Sequence, residues 1–320
     1  MALRSVLLIY LLLIVPPPQS HAAGFQRLSL PMDQNGPGLS GAIWYPCGAP
    51  AADIKIGQAT IPGVLNCPVP DGKYPLVVIS HGSAGSFLSH HDTAAALANA
   101  GFVVAAINHV GDNAQDRSRQ GYLSIFSTRP REMRRLIDYM TQAWPQKGQV
   151  DSTKIGVFGF SRGGYTGLVL AGAVPDFQAG LAICQDAPAL PMCRDMAGGK
   201  IPRQSYVHDD RIKAAVIADP LNAFPDGALK QVKIPVQLWV SEQGGDGITP
   251  ASVEAVRQAL PAAPDFHQAK QAGHFAFLAP CPAEQAEALP ALCRDAAGFD
   301  RLRFHQDLNA KVVAFFRNRL

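Results

Sequence analysis

The 320-residue chain predicts an α/β architecture, a mostly parallel sheet covered by helices on both faces. Three observations carry that expectation. Short apolar runs recur at 76–79, 102–107, 154–158, 213–218 and 234–240 with little polar alternation, the pattern of parallel strands buried on both faces. Stretches with helical spacing lie between them, and strand–helix alternation implies right-handed crossovers. The run at 154–158 feeds directly into Gly159, Phe160, Ser161, Arg162 and Gly163, a G-x-S-x-G pattern whose mechanics require a strand before it and a helix after it.

Arg4, the apolar run 6–15 and the small residues Ser20 and Ala22 have the form of an export signal, with cleavage after Ala22 or Ala23. That apolar run has ten residues, too few to span a bilayer, and Pro16, Pro17 and Pro18 stop it from continuing as a helix. The expected organisation is a signal peptide at 1–22 and a single domain at 23–320, with no stable membrane anchor once the signal is removed. Six cysteines in an exported chain favour disulfides. Sequence-local pairs, Cys47 with Cys67, Cys184 with Cys193 and Cys281 with Cys293, are the expected ones. Their spacing lacks the C-x-x-C form of zinc or redox sites, so no metal site is expected. The net charge is +3, with no basic run or aromatic-interleaved patch, which argues against nucleic acid as a partner.

Strands are expected at 25–30 and 41–45, separated by a turn at 35–38. Residues 46–74, rich in Pro, Gly and Ala, read as an edge excursion held by Cys47 and Cys67. Strand 76–79, helix 91–100 and strand 102–107 follow. The polar stretch 111–129, with Asp112, Asp116, Arg117 and Arg119, reads as a solvated loop, with a lining of the substrate mouth as the alternative. Met133, Leu136, Ile137 and Met140 place a helix over 131–144. After the strand at 154–158 and its helix, strands at 213–218 and 234–240, a helix at 250–260 and a last strand at 266–269 continue the alternation. Leu308, Val312, Phe315 and Phe316 stripe a final helix over 305–320, a packing face rather than a functional one. Residues 185–205, with Pro188, Pro191, Cys193 and Pro202, interrupt the pattern and are a possible small lid.

Ser161 is the candidate nucleophile. A serine hydroxyl needs a base, and His274, in Ala272-Gly273-His274-Phe275 after the last expected strand, is the candidate. The base in turn needs a carboxylate to fix its tautomer. Asp246 and Asp219 both lie at or beyond the carboxyl ends of strands, where α/β ligand sites form; Asp246 is preferred and Asp219 is the alternative. Oxyanion donors are expected from the backbone N–H groups of Arg162 and Ser83, the latter in the loop 80–85. His81 reads as a loop-shaping residue. The neighbours His90, His91 and Asp92 point in different directions on a helix and are not expected to converge on an ion.

With S-H-G-S-A-G at 80–85, G-F-S-R-G-G at 159–164, A-D-P at 218–220, D-G-I-T-P at 246–250 and A-G-H-F at 272–275, the chain resembles the dienelactone-hydrolase-like branch of the α/β-hydrolases. That branch is similar to platelet-activating-factor acetylhydrolases and bacterial cutinases. The resemblance spans roughly residues 40–320 and implies the α/β-hydrolase fold and ester hydrolysis through an acyl-enzyme without metal or organic cofactor. It also implies small-molecule or polymeric esters as partners, while the export signal implies a periplasmic or secreted location. The acetylhydrolases carry their aspartate at the position of Asp219, and the cutinases at that of Asp246. True dienelactone hydrolases use a cysteine nucleophile, so Ser161 departs from them. A peptidase on the same fold and a non-catalytic binding protein remain as alternatives.

Overall fold

A computed structural model describes residues 22–57, 59–177, 184, 188–200 and 207–320. Its strands are β1 (Gly24–Leu30), β2 (Leu39–Tyr45), β3 (Ala52–Ile56), β4 (Ala59–Leu65), β5 (Tyr74–Ser80), β6 (Val103–Ile107), β7 (Val150–Phe160), β8 (Ile212–Ala218), β9 (Val236–Ser241) and β10 (Asp265–Ala269). They form one ten-stranded sheet in the order β10-β9-β8-β7-β5-β6-β2-β1-β4-β3. From β6 to β10 every neighbouring pair is parallel, whereas β2 pairs antiparallel with both β1 and β6.

The apolar runs are continuous because each strand feeds two cores. Leu76 and Val78 of β5 face one cluster, Val77 and Ile79 the other. Helices α1 (His91–Asn99) and α8 (Arg301–Arg319) cover the second face, with Leu97, Leu308, Val312 and Phe316 packed against Val104 and Phe158. Helices α2 (Leu123–Asp138), α3 (Arg162–Leu170) and α5 (Pro250–Ala259) cover the first, through residues such as Leu136, Leu168 and Val253. The expected stripe of α8 is therefore core.

Three expectations need correction. Residues 46–74, expected only as an edge excursion, do lie at the sheet edge but contain two strands: β3 and β4 form an antiparallel hairpin, attached to the sheet through the parallel pairs Gly24–Val64 and Phe25–Leu65. The polar stretch 111–129 does not stay a loop, because α2 begins at Leu123 and runs through Pro130 before ending in a π-turn at Tyr139–Ala143. The long strand β7 starts at Val150, four residues before the expected run.

The three local disulfides form as expected, Cys47–Cys67, Cys184–Cys193 and Cys281–Cys293. Much of 185–205 lies outside the described residues; within it, α4 (Pro191–Ala197) docks on α2, where Asp195 Oδ2 accepts the backbone N–H of Leu123 at 3.1 Å. Residues 1–21 also lie outside, and no helix among the described residues is long and apolar enough to cross a membrane.

Candidate active site

The chain leaves β5 toward β6 on one side, then returns to lay β7 on the other. The loops after β5 and β7 therefore diverge over a crevice at the carboxyl edge of the sheet, where α/β sheets bind ligands. Ser161 sits there, immediately after β7 and as the N-cap of α3. Its backbone is forced to φ 56°, ψ −119°, a conformation that costs about 1–3 kcal/mol for a residue with a Cβ. The turn closes only because its neighbours are small: a Cβ on Gly163 would lie 1.9 Å from the Ser80 carbonyl oxygen, and one on Gly159 2.2 Å from that of Gly163.

The histidine arrives from β10. Gly244 O accepts the His274 N–H at 2.7 Å, fixing the loop, and the ring packs on Phe160 with centroids 4.6 Å apart. Nδ1 of His274 donates to Asp219 Oδ2 at 3.0 Å. Asp219 is fully buried at the end of β8, and Ser241 at the end of β9 secures it, giving its N–H to Oδ1 at 2.7 Å and its hydroxyl to Oδ2. With the ring proton on Nδ1, Nε2 is free to accept; it is buried and has no hydrogen-bond partner among the described residues. His274 and Ser161 line the same cavity, of about 720 Å³.

The carboxylate that meets His274 thus belongs to Asp219, and the preference for Asp246 is corrected. Asp246 lies five residues beyond β9, in a tight turn closed by mutual Gly245–Ile248 hydrogen bonds of 2.9 Å. The backbone of that turn packs on His274, where a Cβ on Gly245 would come within 3.1 Å of the histidine Cβ, while Asp246 itself is exposed at the cavity rim.

Beside the nucleophile lies a buried polar array centred on Asp112, whose burial and partners the sequence did not reveal. Arg162 Nη1 is 2.9 Å from both carboxylate oxygens of Asp112, a fully buried residue, and Arg129 Nη1 is 3.4 Å from Oδ2. Asp112 Oδ1 also accepts the N–H of Ala84 at 3.3 Å, and Arg162 donates to Ser83 Oγ at 2.9 Å. One carboxylate therefore ties the loop after β5 to the residue that follows the nucleophile. Arg162 opens α3, so its own N–H is among those that a helix leaves without an internal partner. Both backbone donors expected for an oxyanion, at Ser83 and Arg162, belong to this tied pair of segments.

His81 holds the base of the same loop. Its Nε2 accepts the His109 N–H at 3.2 Å, so its proton resides on Nδ1 and is donated to Gly82 O at 2.7 Å. Burial, with the Arg129 cation beside it, holds the ring well below the usual histidine range, and it stays neutral. Arg129 donates to the His81 carbonyl. Behind this layer, His109 bridges Ser80 Oγ at 2.9 Å and Glu132 Oε2 at 2.7 Å. The signal was available in part, as polar residues directly following the buried strand β6, but their partners on α2 lie about twenty residues away.

His90, His91 and Asp92 do diverge. His90 packs between Phe158 and Phe160, His91 lines the cavity and Asp92 pairs with His305 at 2.6 Å. No group of three or more His, Cys, Asp or Glu side chains that could hold a metal ion occurs among the described residues.

Comparison with known proteins gives two family matches. Residues 73–205 match the family described as serine aminopeptidase, S33, and residues 10–120 the family described as platelet-activating factor acetylhydrolase, isoform II. No curated protein matches. Among solved structures, the chain is similar to a ferulic acid esterase from Streptomyces cinnamoneus, at 18% identity and a TM-score of 0.67, covering 96% of this chain and 92% of that one. The 720 matching chains make the architecture common, so the fold does not select a substrate.

Proposed function

We propose that this chain, an α/β-hydrolase resembling the platelet-activating-factor acetylhydrolases, is a serine hydrolase that cleaves carboxylic esters through an acyl-enzyme. The observation that carries this reading is one cavity lined by a serine on a strained strand-to-helix turn and by a histidine whose far nitrogen is bonded to a buried aspartate. Ser161 Oγ attacks the ester carbonyl while His274 Nε2 takes its proton, and Asp219 stabilises the imidazolium. The N–H groups of Arg162 and Ser83 receive the oxyanion. Collapse expels the alcohol, which takes the proton back from His274; water then repeats the sequence on the acyl-enzyme. The nucleophile, base, acid and oxyanion donors of this route all come from the chain itself.

The substrates are small-molecule or polymeric esters. Three disulfides support export to the periplasm or beyond, with residues 1–22 removed as a signal peptide. Residues 185–205 remain the candidate lid; of their described part, α4 docks on α2 and no residue lines the cavity.

The match to a serine aminopeptidase family supports a second reading, amide cleavage. The cavity weakens it, because Asp246 is the one carboxylate among the described lining residues, which therefore offer no pair of acids to grip an α-ammonium group. Hydrolysis of p-nitrophenyl acetate and of leucine p-nitroanilide, by wild type and Ser161→Ala, separates the readings. The expected result is ester turnover that falls at least about 10³-fold in the variant, with little anilide cleavage. Ester turnover that survives Ser161→Ala would remove the serine mechanism, and anilide turnover that exceeds it would favour the peptidase.

A further inference from the structure

We infer that residues 278–293, clasped by the Cys281–Cys293 disulfide, form the specificity wall of the site and select uncharged esters that carry an extended apolar group. This rests on the ester-hydrolase reading and names the substrate class of that same cavity.

The segment leaves the short 3-10 turn His274–Phe277 directly, so it is placed by the same turn that places the base. It then folds into α6 (Ala283–Ala288) and α7 (Pro290–Cys293), too short to stand as helices without support. The disulfide closes the pair at one end. At the near end Ala279 N–H donates to Ser89 O at 2.9 Å, joining the wall to the segment that follows the oxyanion loop. At the far end Arg301 Nη1 donates to Leu292 O at 2.9 Å while pairing with Asp295 at 2.7 Å. Three anchors thus hold an apolar surface, Leu278, Leu289 and Leu292, against the cavity. Leu289 is 50% exposed. A single exposed leucine is ordinary, but this one shares a cavity with two others and with the nucleophile.

Size and charge narrow the ligand. A cavity of about 720 Å³ lies in the range that encloses a drug-sized molecule, and an acetyl group would leave most of it to water. Each further methylene that enters should strengthen binding about threefold to fourfold. The described lining contains no lysine or arginine, and Asp246 stands at the rim, so a carboxylate or phosphate on the substrate would find repulsion and no counter-charge.

The test compares kcat/KM for p-nitrophenyl acetate, p-nitrophenyl octanoate and the anionic p-nitrophenyl hemisuccinate in wild type, Leu289→Asp and Cys281→Ser/Cys293→Ser. Leu289 is exposed enough that its replacement leaves the fold intact if the cysteine variant fails to fold. The expected octanoate-to-acetate ratio is about 10 or more in wild type and falls at least about fivefold in either variant through KM for octanoate, with hemisuccinate the poorest of the three. A wild-type ratio of about 1 or less, or a ratio unchanged in Leu289→Asp, would overturn the assignment. Labelling of Ser161 by a fluorophosphonate and calorimetric binding of both neutral esters to Ser161→Ala separate the two levels. Label and turnover without chain-length preference sink the wall and keep the hydrolase. Octanoate-selective binding without label or turnover sinks the hydrolase and keeps the wall.

Discussion

At the residue scale the acid is decided by where a carboxylate can be buried. An orienting carboxylate works best away from water, where its bond to the imidazole is not weakened by solvent. Asp219 has no exposed surface and two donors from Ser241, whereas Asp246 is exposed. Asp219→Asn is therefore expected to lower kcat about 10³- to 10⁴-fold, because an amide no longer holds the ring in the accepting tautomer. Asp246→Asn should change turnover by no more than about twofold. Esterase assays on both variants check this, and the reverse order would return the role to Asp246. Ser161 and His274 were legible from sequence because the serine's glycine neighbours are dictated by local sterics and the histidine closes the expected chain order. The acid was not, because both aspartates follow strands. Their difference lies in Ser241, which fills the end of β9 and turns that position into support for its neighbour.

At the element scale, α2 shows how a local rule and a tertiary partner trade places. Pro130 lacks the N–H that would bond to Phe126 O four residues back, which is why sequence alone starts the helix after it. In the fold that carbonyl instead accepts the Tyr165 hydroxyl from α3 at 3.4 Å, and the helix runs on through the proline. The two turns so gained carry Arg129 to the oxyanion loop and lead into Glu132, which meets His109. The hairpin of β3 and β4 was hidden for a related reason: Pro62 and Gly63 of β4 read as breakers, yet β4 meets β1 only at Val64 and Leu65, so Pro62 has a neighbour strand on one side alone.

Burial raises Glu132 from 4.5 to about 7 and holds His109 well below its ordinary value, so both groups favour their neutral forms. The folded carboxyl binds its proton more tightly than the unfolded one. Its contribution to stability is complete below pH 4.5, declines as pH rises and is lost above about 7. That loss amounts to about 3 kcal/mol for this size of shift. Urea unfolding of wild type and Glu132→Gln across that window should show the wild type losing that amount relative to the variant. Parallel pH curves would mean that Glu132 titrates alike in both states.

At the scale of the whole molecule, the three disulfides divide the labour between stability and chemistry. They close loops with sequence separations of 20, 9 and 12 residues. Loop-closure entropy in the unfolded chain gives each about 3 kcal/mol, about 9 together, against a net stability of about 5–15 kcal/mol for a folded domain. Yet Ser161, Asp219 and His274 follow β7, β8 and β10, members of the parallel run β10-β9-β8-β7, none of whose strands holds a cysteine. Cys47–Cys67 shows the contrast best, since it holds the β3–β4 hairpin at the far edge of the sheet, where only two residue pairs join β4 to β1. Cys47→Ser/Cys67→Ser should lower the unfolding free energy in urea by about 3 kcal/mol while kcat for p-nitrophenyl acetate at 25 °C stays within about twofold. Ala59 and Thr60 of the freed hairpin touch the cavity, so any effect on activity should appear in KM for long esters rather than in kcat. An unchanged urea midpoint would show that the hairpin is held by its packing alone, and a collapse of kcat would show that the sheet edge and the catalytic crevice are one cooperative unit.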